Sequence, residues 1–194
     1  MIEFIAEIPS NRYGDVDQCL RLIREAARVG CTGVRLPLFR IEQLFAPQIL
    51  RVSPTHRLHR RYELPRRFLP LLSVCAREHG LRFGITPHDL DAVDAARSHV
   101  DFLAVSSHEL PWLDLVHQCA DTGLPLIIGT AMADAGETWN AIETALEAGC
   151  TDLTMVHGVA SNPALEEHCN LAAIGTLREL LVREFTPLYP KVAL

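Results

Sequence analysis

At 194 residues, 48% of them hydrophobic, the chain has room for one domain with a core of its own. Its formal charge of −6 argues against a general nucleic-acid binder, and no run approaches the roughly 18 apolar residues that a membrane span needs. The start lacks the basic residues and cleavage site of a signal peptide, so the cytoplasm is the expected address.

In chain order, short runs rich in Val, Ile, Leu and Phe alternate with longer segments of 3.6-residue spacing. A strand at 3–8 leads to a helix at 15–29, and a strand at 33–39 to a helix at 65–79. Strands at 82–86, 102–106, 126–130 and 153–157 are followed by helices at 89–98, 110–121, 135–148 and 171–184. Gly30, Gly80, Gly123 and Gly149 each close a helical pattern, where glycine most readily takes the left-handed turn.

Strands buried on both faces and alternating with helices imply an α/β fold with a parallel sheet. No G-x-G-x-x-G follows the first strand, so the dinucleotide-binding version has no fingerprint. Polar residues gather instead at the C-terminal strand ends: Glu7 with Asn11, Arg35, Thr86 with His88, Ser106 with Ser107, Thr130, and His157. That distribution predicts a TIM-type (β/α) barrel forming one domain over residues 1–194. Six units are plain and the tail "FTPLYPKVAL" offers a seventh strand, against eight strands and about 250 residues in a closed barrel. The barrel is therefore expected to be incomplete. Either the chain is shortened, or a partner subunit covers the open edge, which predicts a homo-oligomer.

Six cysteines without a C-x-x-C pair read as reduced core residues. The only lysine is Lys191, against seventeen arginines, so Schiff-base chemistry lacks its amine nucleophile in the barrel segment. Arg51, Arg57, Arg60, Arg61, Arg66 and Arg67, with His56 and His59, form a locally basic stretch. It reads either as an anion-facing segment or as a solvated loop and helix start.

The ordered set "IAEIPSNRYGD", "GVRLPLF", "YELPRRFLPLLSVCAREHGLRFGITPHDLDAVD", "SSHELPWLDLVHQCADTGLPLIIGTAM" and "HGVASNP....CNLAAIGTL" resembles the sialic acid synthase family. That family's pattern runs "IAEIGxNHxGD", "VKFQTF", "TPFD", "ASGE...AKTGKPVILSTGM" and "HCTSxYP". The resemblance implies condensation of phosphoenolpyruvate with an N-acetylated amino sugar, assisted by a divalent metal, usually manganese. It also implies roles for single residues. Glu7, Asn11, Thr86, Ser107 and His157 match motif positions, whereas Arg12 stands for a histidine, Arg35 and Ala104 for lysines, and Gly129 for a serine. Ala160 and Asn162 stand where the last motif offers a polar residue and a tyrosine. The family's metal-binding histidines, in a later "SDHT"-type segment, and its C-terminal antifreeze-like domain have no counterpart in this sequence. No metal ligands are assigned.

Glu7 and His157 are thus the candidate catalytic groups, with Asn11, Arg35, Thr86, Ser107 and Thr130 as candidate substrate-binding groups. Each has a plainer reading. Glu7 could cap the turn at Pro9–Ser10–Asn11 or pair with a nearby arginine, His157 could be a satisfied core histidine, and hydroxyls at 106 and 107 could cap the next helix. Two functions follow: a phosphoenolpyruvate-dependent condensation, or a non-catalytic relative that binds a sugar or sugar phosphate or serves as a subunit of a complete enzyme. A lyase or isomerase using His157 or Glu7 as base is a third, weaker reading.

Overall fold

The computed structural model describes residues 2–10 and 15–181, so Asn11 and the tail proposed as a seventh strand lie outside the described residues. The chain divides into two compact units, Met1–Phe102 and Leu103–Leu194.

The first unit opens with β1 (Ile5–Glu7), α1 (Val16–Arg28) and β2 (Gly33–Leu38). Asp15 caps α1 by accepting from the amides of Asp17 and Gln18 at 2.9 and 3.2 Å. Its buried face is Cys19, Ile23 and Ala26, a spacing of four and three that makes one stripe. Gly30, at φ +88°, turns the chain out of the helix in a conformation any other residue would resist. Three short helices follow, α2 (Ile41–Leu44), α3 (Pro47–Val52) and α4 (Pro54–Leu58), then 3-10 turns at His59–Tyr62 and Arg66–Phe68. The sequence pattern assigns no element between residues 39 and 65. Prolines at the first turns of α3 and α4, and the Ser53 cap on the His56 amide, start helices too short for any periodic pattern.

The unit continues with α5 (Leu69–Glu78), β3 (Arg82–Pro87) and α6 (Leu90–Ala96). The α-helical part of the predicted 65–79 helix therefore begins at Leu69, after the 3-10 turn. β2 pairs in parallel with β1 and with β3, setting Glu7 beside Arg35 and Pro37 beside Thr86. Val34, Leu36, Leu38, Phe83 and Ile85 are at most 1% exposed, and each contributes about 1.5–3 kcal/mol by leaving water. Gly84 is demanded by close approach: a Cβ there would meet the Phe102 ring at 2.2 Å.

The strand β4 (Phe102–Val105) runs into the second unit, which adds α7 (Leu113–Asp121), β5 (Leu126–Gly129), α8 (Ala135–Glu147), β6 (Leu153–Val156) and α9 (Ala173–Leu180). Pro111 precedes α7, which starts three residues later than the predicted 110–121 helix. β4 pairs with β5, and β5 with β6, all in parallel. Asp134 and Glu137 form a reciprocal capping box at the start of α8, and Ala141, Ile142, Ala145 and Leu146 bury its inner face. Among the described residues no helix is long and apolar enough to cross a membrane.

Candidate functional site

In the first unit the strand-end carboxylate has a specific partner. Parallel register places Glu7 opposite Arg35, whose Nη2 donates to Glu7 Oε2 at 2.6 Å. Their side chains are 56% and 31% exposed, so solvent screens the pair and its net contribution is about 0–1 kcal/mol. Its value is geometric. One guanidinium nitrogen is held by the carboxylate while the remaining N–H groups of the fork keep a fixed direction. Thr86 is only 6% exposed, near the C-terminal end of β3. Behind it His88 packs edge-on to Phe39 with ring centroids 6.1 Å apart, and Asp89 caps α6 by accepting from the Ala92 amide at 2.6 Å.

In the second unit a cavity of about 500 Å³ opens beyond the C-terminal ends of β5 and β6. Thr130 and His157 follow those two strands directly, and both line it, together with Met132, Asp134, Asn170 and Thr176. Parallel pairing produces this convergence, because both strands end on the same side. Met132 and Asn170 carry positive φ, +69° and +41°. They sit in two separate loops, after β5 and after β6, and the left-handed conformation is ordinary for asparagine but uncommon for Met132.

The polar groups have assigned roles. His157 Nε2 lies 2.8 Å from the Cys169 carbonyl oxygen, which can only accept. Nε2 therefore carries a proton, and in the neutral ring Nδ1 holds the lone pair that can take one. Thr130 Oγ1 donates to the Val156 carbonyl at 3.1 Å, leaving its lone pairs to accept. Ser107 Oγ accepts from the Ala131 amide at 3.0 Å, so its own hydroxyl hydrogen is available to an anion. Ser106 instead donates to Glu109 and accepts from the His108 amide, the local capping role.

The structure thus joins Glu7 with Arg35 in one unit, and places Thr130 and His157 in one cavity of the other, with Ser107 tied to the loop behind it. Asn170, Asp134 and Thr176 were not singled out from sequence. Asn170 lies within "CNLAAIGTL", part of the resemblance, but nothing in its spacing announced a wall position. Among the described residues no three His, Cys, Asp or Glu side chains come together as a metal-holding group, so these residues alone do not fit a divalent ion.

A model of the NeuB family matches residues 22–184. The chain belongs to the NeuB family. An uncharacterized protein of Methanocaldococcus jannaschii is 32% identical over 177 residues, 91% of this chain and 51% of the relative. The N-acetylneuraminate-9-phosphate synthase of Drosophila melanogaster is 26% identical over 188 residues, 91% of this chain and 50% of its own length. The chain spans about half the length of the curated relatives it matches. Among solved structures, an N-acetylneuraminic acid synthetase from Leptospira borgpetersenii, in complex with citrate, superposes with a TM-score of 0.84 at 26% identity. That match covers 92% of this chain and 61% of the synthetase. The fold class is accordingly that of an incomplete TIM-type (β/α) barrel, with six parallel strands among the described residues, each leading into helix.

Proposed function

We propose that this NeuB family chain acts as a sialic acid synthase-like protein, condensing phosphoenolpyruvate with an N-acetylated amino sugar. The cavity at the ends of β5 and β6 carries the reading: Thr130 and His157 line it, and the histidine tautomer is fixed by the Cys169 carbonyl. In that reaction the methylene carbon of phosphoenolpyruvate forms a bond to the sugar aldehyde carbon, and the carbonyl oxygen takes up a proton. Water adds at the former enol carbon and inorganic phosphate leaves. His157 Nδ1 would receive the proton of the entering water, a transfer that positioned bases accelerate by about 10²–10⁴-fold. Ser107 would donate its hydroxyl hydrogen to a phosphate or carboxylate oxygen, Thr130 would accept from a sugar hydroxyl, and Arg35 would bind an anion with the N–H groups that Glu7 leaves open. Glu7, the other candidate catalytic group, orients Arg35 here. Thr86 and Asn11 remain proposed contacts on their strand-end positions alone. Manganese is the metal that the family resemblance implies.

The test is phosphate release from phosphoenolpyruvate with manganese and a panel of N-acetylated sugars. Sugar-dependent release that falls at least about tenfold in His157→Gln, with an unchanged melting temperature, supports the reading. No release with any sugar refutes it.

A second reading, binding without turnover or service as a subunit beside a complete enzyme, is favoured by one observation: the described residues hold no metal-binding group. Calorimetric titration of phosphoenolpyruvate, with and without manganese, separates the two, since binding without phosphate release belongs only to the second. β1 and β6 each pair on one side among the described residues, which favours a second copy of the chain over these edges. Light scattering at low micromolar concentration checks it, and a clean monomer would exclude it. A cytoplasmic location completes the reading and is checked by cell fractionation.

A further inference from the structure

The first unit holds a second cavity, also about 500 Å³, that shares no lining residue with the one at His157. Four arginines line it, Arg40, Arg60, Arg66 and Arg67, against two carboxylates, Glu42 and Glu63. It adjoins the C-terminal end of β2, since Phe39 and Arg40 follow that strand directly. The basic stretch seen in the sequence therefore folds into a concave wall.

How each charge is held decides what the wall can do. Arg66 is the most enclosed, its side chain 26% exposed, and it reaches back at 3.3 Å to Asp89, whose side chain is 3% exposed. The second carboxylate oxygen of Asp89 is buried and has no hydrogen-bond partner among the described residues. Asp89 thus anchors Arg66 from behind, with an accepting oxygen to spare. Glu63 is occupied by the Ile41 amide, which donates to it at 2.9 Å. Arg60 pairs with Glu42, but both side chains are about half or more exposed, and ion pairs of that kind exchange easily. Arg40 and Arg67 have no carboxylate within ion-pair distance among the described residues, and Arg67 lies over the Phe68 ring at 4.8 Å. Even after Asp89, Glu42 and Glu63 are counted, positive charge remains in excess.

The geometry points to an anion site in this cavity that takes a phosphate monoester. Planar forks of guanidinium match two phosphate oxygens at once, and several forks converging on one hollow favour a dianion over a single carboxylate. The volume suits a phosphorylated small molecule of sugar size. Arg40 and Arg67 supply the unpaired charge, Arg66 the fixed fork, and Arg60 a donor that leaves Glu42 on binding. This site rests on no part of the condensation reading and would stand if that reading failed.

The experiment is calorimetric titration of the full chain, in a phosphate-free buffer at about 150 mM salt, with mannose 6-phosphate, inorganic phosphate and mannose. Mannose 6-phosphate should bind and mannose should not. The double variant Arg40→Ala/Arg67→Ala should weaken binding at least about tenfold, as loss of charge-assisted contacts does. Glu42→Gln, which releases Arg60, should tighten it, and His157→Gln in the other cavity should leave it unchanged. Equal binding of inorganic phosphate assigns the site to phosphate itself, while clearly tighter ester binding assigns it to a phosphorylated metabolite. No binding of either at about 10 mM, or a double variant that binds like the parent while Glu42→Gln has no effect, overturns the proposal.

Discussion

The second unit makes a prediction at Gly129, where the family pattern has a serine. A Cβ at this position would lie 2.6 Å from Ser107 Oγ and 3.3 Å from the Ser107 amide nitrogen. Gly129 does not occupy the left-handed region, so alanine there is acceptable to the backbone and the cost comes from contact alone. To make room, the Ser107 side chain must rotate away from the Ala131 amide it now accepts from at 3.0 Å. Leaving that donor unmet costs about 1–3 kcal/mol, partly offset by the about 0.4–1 kcal/mol gained when alanine narrows the unfolded ensemble. A net loss of about 1–2 kcal/mol, or about 3–6 °C in Tm for a chain of this size, is expected for Gly129→Ala. In a Ser107→Ala background the clashing oxygen is gone, so the same change should cost less than about 0.5 kcal/mol. Urea unfolding of the four proteins closes the cycle. Equal costs of Gly129→Ala in both backgrounds would refute the reasoning. Gly129→Ser, which restores the family serine, should lose stability similarly without tightening phosphoenolpyruvate binding, because the new side chain displaces an existing donor.

Other sites give shorter predictions. Gly84→Ala drives a Cβ into the Phe102 ring, fully buried and unable to yield, and should cost about 1–3 kcal/mol or more by thermal unfolding. Asp134→Ala removes the cap of α8 and should cost about 1 kcal/mol in urea, with Glu137 losing its reciprocal role. Burial pushes the Cys119 thiol up to about 12 and raises Cys150 and Cys75 as well, desolvation being the largest cause in each. Unfolded thiols ionise near the ordinary value of about 8.5, so this stability is complete below that pH and is lost as pH rises toward the folded value. Between pH 8 and pH 10 the urea midpoint should therefore fall, with Cys119 contributing about 1–2 kcal/mol, and Cys119→Ala should flatten the dependence.

The order of strands and helices was legible because the strands read as short, largely apolar runs, and β3 and β4 are buried on both faces. Phe102–Val105 is fully buried along its length, and its predicted range was off by a single residue. Helix ends were less legible. The stretch from Ile41 to Leu58 hid three helices, since four to six residues give no period and only the prolines at 47 and 54 hint at starts. For the site, strand ends announced Thr130 and His157 because parallel pairing forces them to one side. The Glu7–Arg35 partnership was visible only as one of several options, since register between strands 28 residues apart is written in no local pattern. The wall position of Asn170 depends on a loop with positive φ and could not be read at all.

The arginine bias of the chain changes meaning once these partners are seen. Arg35 with Glu7, Arg60 with Glu42, Arg66 with Asp89, Arg77 with Asp101 and Arg82 with Glu3 are each held by a carboxylate. A lysine in such a position presents a mobile point charge that can swing toward an incoming phosphate; a guanidinium held at one nitrogen presents its other donors in a fixed direction. Replacing the family lysine with Arg35 therefore exchanges reach for orientation, and the strand-end carboxylate at Glu7 is what makes that exchange workable. The same geometry sets the sign of Glu7's influence. If its carboxylate contacts the sugar, its loss weakens binding; if it serves to orient Arg35, its loss removes a competing negative charge and leaves the guanidinium freer but less directed. Anion affinity and sugar selectivity would then move in opposite directions, a split that a merely structural carboxylate would not produce.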